Sequence, residues 1–208
     1  MSTQTQTATE PKNDAVVEQK IQKLRELYAD APEIGKAALE NGLSMLTEEL
    51  AAKGRAQTAG RIGARQGKVS ELTVFLPFVK GGAKRLRGLL QLLEGNFRAA
   101  DAVGTVHDMR FVFVDNDTKL LFATAYDGDF DPYIEDFAAK IPNAMDLWLC
   151  NFEGFPGMRS PAAAADWIAK HQIAAEAWYV NSPNLTAAET RRLEGIGTAV
   201  DEFLDKIA

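Results

Sequence analysis

One cysteine, two histidines and no apolar run near the roughly 20 residues that cross a bilayer narrow the chemistry open to this 208-residue chain. The single Cys150 excludes an internal disulfide and any metal site built from several cysteines. Zinc would need His107, His171 and carboxylates together, and no metal site is assigned. Positive charge is short as well. Twenty-three Lys and Arg stand against 29 Asp and Glu, a net charge of -6, which argues against broad nucleic-acid binding because that depends on neutralising phosphates. The opening MSTQTQTATEPKND has neither a basic n-region nor an apolar h-region, so the expected location is cytoplasmic, with no membrane span. No Ser or Cys occupies a nucleophile-type turn, and a hydrolytic triad finds no support.

What remains is an ordinary globular composition, 46% hydrophobic and 25% charged, enough for one sizeable core and an appendage. Residues 1–13 are rich in Thr, Gln and Ser and read as a disordered tail. A helical hairpin is expected over 14–54. Asn13 or Asp14 caps a helix carrying Val17, Ile21, Leu24 and Leu27, and a second stretch with Ile34, Leu39, Leu43, Leu46 and Leu50 follows Pro32. Gly42 weakens the middle of that stretch by about 1 kcal/mol relative to Ala, a place where it can divide. The segment KGRAQTAGRIGARQGK then gathers five cations among four glycines with no acid. Residues 55–69 accordingly read as a basic flexible linker, or else as a tether to an acidic or phosphate-bearing partner.

From residue 70 to 208 strand and helix signals alternate. ELTVFLPF (71–78) is a strand, Ala83–Glu94 a helix, TVHDMRFVFV and KLLFATAY a hairpin about Asp115-Asn116-Asp117, DFDPYIEDFAAKI a helix, and AMDLWLCNF (144–152) a further strand. The order β-α-β-β-α-β predicts an α+β fold with a ferredoxin-like core, an antiparallel sheet with two helices on one face. A C-terminal helix-strand-helix is added: Ala162–His171, AEAWYV at 175–180, and a long helix opened by the capping box Thr186-Ala-Ala-Glu189. That last helix carries Leu193, Ile196, Val200, Phe203, Leu204 and Ile207, and is expected to cover the sheet or another subunit.

Alternation along the strands places His107 with Met109, Phe111 and Phe113, and Arg110 with Asp108. Every strand is apolar on both sides, so both sheet faces are expected to be at least partly buried, with a pocket on the helix-free face. Pairing across the hairpin brings His107, Arg110, Tyr126 and Asp127 toward one end. Two kinds of reading stand for each, one chemical and one structural: His107 as ligand or proton carrier, against strand-end hydrogen bonder; Arg110 as anion clamp, against salt-bridge partner; Tyr126 and Asp127 as acid-base groups, against turn residues. His171 reads as a helix C-terminal cap or a ligand. Glu153 in FEGFPG is a candidate for a cavity lip, and Cys150 reads as inert core.

The β-α-β-β-α-β pattern with two-sided strands resembles the dimeric α+β barrel superfamily, which includes small monooxygenases, chlorite dismutases and dye-decolorising peroxidases. The motifs G-T-V-H-D-M-R, Y-D-G and E-G-F-P also resemble an uncharacterised bacterial group with G-T-x-H-x-x-R, Y-D-G and E-G-[FY]-P signatures, over about residues 70–205. The peroxidase motif G-x-x-D-G is not reproduced, because residue 124 is Thr. The resemblance implies a homo-oligomer enclosing an apolar pocket for a small hydrophobic or haem-like ligand. Redox or oxygen chemistry would then use His107, or His171, as haem ligand, Arg110 as clamp, and Tyr126 and Asp127 as supporting donors. Two other readings are a non-enzymatic assembly protein using the N-terminal helices, and a cofactor-independent monooxygenase or isomerase with His107 as base.

Overall fold

The structure, a computed structural model, describes residues 11–52, 54 and 57–207. The chain divides into two compact units, 1–54 and 55–208. The first unit contains α1 (Pro11–Leu27), α2 (Glu33–Asn41) and α3 (Leu43–Ala51). Its second helical stretch divides at Gly42, as the glycine suggested. Helix α1 begins at Pro11, ahead of the expected caps Asn13 and Asp14, and the rest of the expected tail lies outside the described residues. Val17 and Leu39 are buried, and Arg25 forms a two-pronged ion pair with Glu40 at 2.8 and 2.9 Å.

The second unit is α+β. Strands β1 (Gln57–Thr58), β2 (Ala64–Gln66), β3 (Val69–Pro77), β4 (Val106–Val114) and β5 (Lys119–Asp127) form an antiparallel sheet in the order β1-β2-β3-β5-β4. The expected hairpin is present. Its turn holds Asp115, Asn116 and Asp117 at positive φ, a conformation that Asn and Asp tolerate better than most side chains. Arg87 clasps Asp117 with two 2.6 Å bonds and lies 4.2 Å from the centre of the Phe113 ring. Three cross-strand rows, Leu72–Thr124–Met109, Val74–Phe122–Phe111 and Leu76–Leu120–Phe113, face the core.

Helices α4 (Gly82–Leu93), α5 (Arg98–Val103), α6 (Phe130–Lys140), α7 (Pro142–Leu149) and α8 (Pro161–Lys170) supply the other side of that core through Leu86, Val103, Phe137, Trp148 and Ile168. The strand expected at 144–152 is therefore a correction: residues 142–149 are helix α7. Met145, Trp148, Leu149 and Phe152 recur at helical spacing and are all buried, while Leu147 is 55% exposed. The apolar run fits either period, and Pro142 at the first helical turn decides for the helix. Cys150, expected in the core, is exposed at its end.

AEAWYV at 175–180 is not a strand either. The edge of β3 it would join is taken by β2 and by short backbone pairings from Ile173 to Thr73 (2.9 Å), His171 to Phe75 (3.1 Å) and Glu153 to Pro77 (2.9 Å). The sheet thus lacks the fourth strand of the expected ferredoxin-like core.

The basic segment is no loose linker where it is described. It provides β1 and β2, buries Ala59, and pairs Arg61 with Asp131 (2.8 Å) and Asp166 (2.6 Å), Arg65 with Asp129 (2.5 Å), and Lys68 with Glu189 (2.8 Å). Its counter-ions lie 64 to 121 residues further along the chain, so local composition showed only unpaired charge. Gly63 has φ +83° and backs onto the Glu71 carbonyl, leaving no room for a Cβ.

Tryptophan fluorescence reports on this unit alone, because all three tryptophans lie in it. In urea unfolding, Trp148→Ala should cost about 3–5 kcal/mol and Leu147→Ala under about 0.5 kcal/mol. Equal costs would contradict helix α7.

Candidate functional site

A β-bulge between Val106 and Asp108 sets the site. It breaks the alternation on which the expected grouping of His107 with Met109, Phe111 and Phe113 rested, and re-aims one side chain. The His107 imidazole reaches Asp127, the last residue of β5, with Nε2 2.7 Å from Oδ1. A carboxylate only accepts, so Nε2 carries the proton and the neutral ring keeps its lone pair on Nδ1. Among the described residues Nδ1 has no hydrogen-bond partner.

Asp127 is anchored from the other side by α9 (Ala187–Ile207). The Ala187 amide donates to both carboxylate oxygens at 3.0 and 3.3 Å, placing the negative charge at a helix N-terminus, where the helix dipole stabilises it. The side chains of His107 and Asp127 are 21% and 13% exposed, so the pair is shielded yet reachable. A cleft of about 370 Å³ opens beside His107, lined by Phe97, Ala100, Asp101, Val106, Asp108 and Met109 among others.

The same helix start carries a second ionic device. The Glu189 carboxylate accepts from Lys68 at 2.8 Å and from the Thr186 amide at 2.7 Å, while the Thr186 hydroxyl accepts from the Glu189 amide at 3.1 Å, completing the expected capping box. Lys68 first, then the Thr186 donors, pull the Glu189 carboxyl down to about 2.

The other sequence candidates do not join this pair. Tyr126 points into the core, fully buried, its ring stacked on Tyr133 at 3.9 Å between centroids. Burial pushes the phenols of both tyrosines well above their ordinary range, so neither supplies or accepts a proton near neutral pH. Arg110 is exposed and lies 3.7 Å from Asp108, opposite Ala123 and away from Asp127. His171 caps α8: its Nδ1–H donates to the Trp167 carbonyl at 2.8 Å. The expected four-residue cluster reduces to His107 and Asp127. The helix amide that completes it lies 60 residues from Asp127 and carries no side-chain signal.

The apolar cavity is also not where the strands suggested. It lies between the sheet and the helices, touched by Val74, Phe111, Phe122, Phe137, Trp148 and Ile168, and measures about 50 Å³. Organic ligands occupy pockets of roughly 300–1,000 Å³, and neither histidine lines this one. A cavity of this size cannot admit a haem macrocycle, and neither histidine is placed to meet one there. No group of described residues is arranged to hold a metal ion. The opposite sheet face is only partly covered, with Phe75, Leu121 and Ala123 half-buried and Val112 exposed. Among the described residues no helix is long and apolar enough to cross a membrane.

Comparisons with protein-family profiles, with curated proteins and with solved structures find no match to this chain.

The Glu189 carboxyl carbon should titrate in NMR near pH 2, below the ordinary 4.5. A depressed carboxylate stabilises the fold above pH 4.5, and that contribution disappears as pH falls toward 2. Glu189→Gln should remove this acid-side dependence, and a midpoint near 4.5 would contradict the Lys68–Glu189–Thr186 arrangement.

Proposed function

We propose that this protein acts on a small, partly apolar organic molecule without a cofactor, with His107 as the proton-accepting group. The observation that carries the reading is the 2.7 Å contact between His107 Nε2 and an Asp127 carboxylate held by a helix N-terminus. Such a pair fixes the ring and its tautomer, leaves Nδ1 as the base, and stabilises the imidazolium once a proton is taken. Met109, Phe97 and Val106 in the adjoining cleft offer apolar contact, and Asp101 and Asp108 at its rim favour a neutral or cationic ligand over an anion. Asp127 positions the base, and the Ala187 amide positions Asp127.

The wider kinship stands on the same footing. A relation to ferredoxin-like, dimeric α+β barrel proteins is supported by the order β3-β5-β4, in which the outer strands run parallel to each other and antiparallel to the middle one. The G-T-x-H-x-x-R and Y-D-G motifs, which carry the separate resemblance to an uncharacterised bacterial group, span the bulge residue His107 and its partner Asp127.

A library of small aromatic, keto and amine fragments, screened by ligand-observed NMR, tests the reading. Fragments should bind the wild type with shifts at Val106 and Met109, lose at least tenfold in affinity in His107→Gln, and be little changed in Arg110→Ala. Binding that survives His107→Gln, or that maps elsewhere, would overturn it.

A further inference from the structure

Helix α9 has 21 residues, and only Ala187, at its start, is buried. Three contacts anchor that end: Ala187 to Asp127, Glu189 to Lys68, and Arg191 Nη2 to the Gly104 carbonyl at 2.7 Å. From Arg191 to Ile207 every residue is exposed. Most helical stability in proteins comes from packing an apolar face rather than from propensity, and Gly195 and Gly197 lower the propensity of this helix. Its helical form calls for a covering partner.

The sequence says what shape of partner. Leu193, Ile196, Val200, Phe203 and Ile207 follow one another at intervals of three, four, three and four residues, the seam of a two-helix coil, and are 44–64% exposed. Charge is unequal along the helix. Near the anchored end Arg191 and Arg192 outnumber Glu194, with Glu189 already balanced by Lys68, while Asp201, Glu202 and Asp205 outnumber Lys206 at the far end.

We propose that α9 is the contact between two copies of this chain, paired antiparallel along Leu193, Ile196, Val200, Phe203 and Ile207. Antiparallel pairing sets each acidic end against the partner's basic end and opposes the helix dipoles, whereas parallel pairing would press the two acidic ends together. It also leaves the two sheet units at opposite ends of a rod about 30 Å long, so they do not collide. The contact is two-fold and self-complementary. Because α9 begins at the amide that holds Asp127, pairing would also steady the His107–Asp127 site; the pairing itself does not depend on any reading of that site.

Sedimentation velocity of the full chain under reducing conditions, near 50 μM, should give a dimer. Val200→Asp with Phe203→Asp should give a monomer that keeps one cooperative tryptophan-monitored unfolding transition, its midpoint no longer dependent on protein concentration. A wild-type monomer, or a dimer that survives the double substitution, overturns the proposal. Orientation is read in a Cys150→Ser background by mixing ¹⁵N-labelled chains with unlabelled chains carrying a nitroxide at Glu194→Cys. Broadening of amides 203–207 in the labelled copy supports antiparallel pairing; broadening confined to 191–197, or none, overturns it.

Discussion

The Asp127 carboxylate is the point through which the hairpin, the bulge and the last helix are tied together. It accepts from His107, which the bulge has re-aimed, and from the first amide of α9. Each donor is a group that would otherwise need a partner, and hydrogen bonds to a charged acceptor are stronger than neutral ones. Without this group the helix start would lose its acceptor and the imidazole its orientation. The site is thus a by-product of how β5 ends.

A related principle holds the neighbouring elements. Arg61, Arg65 and Lys68 reach acids at or near the starts of α6 and α9 and one in the middle of α8. Exposed ion pairs are individually worth about 0–1 kcal/mol, so α6 and α8 rest mainly on buried residues such as Phe137 and Ile168. Helix α9 differs, since beyond Ala187 its attachment within this copy is polar. The core proper is nearly filled, with about 50 Å³ of apolar space.

The hairpin, its Asp-Asn-Asp turn, α4, α6, α8 and the capping box of α9 were legible because each rests on local chemistry. Strand β4 was legible together with its alternation from Asp108 to Val114, and only His107 fell out of phase, since a bulge leaves no mark in the residue types around it. Residues 144–152 were misread because AMDLWLCNF satisfies both a period of two and a helical period, and the residue that favours the helix, Pro142, lies just ahead of the run. The basic segment was misread because its partners are remote in sequence. Of the site, His107 and Asp127 were named in advance, but Arg110 and Tyr126 were grouped with them on strand proximity. Facing decides otherwise: Tyr126 turns into the core and Arg110 to solvent.

The central claim is that Asp127 holds His107 in one tautomer with Nδ1 as the available base. Imidazole ¹⁵N shifts of His107 at a pH where the ring is neutral test it most directly. The account predicts a protonated, pyrrole-type Nε2 and a lone-pair, pyridine-type Nδ1, with the preference weakened in Asp127→Ala. A proton on Nδ1, or two averaged nitrogens in the wild type, would contradict it.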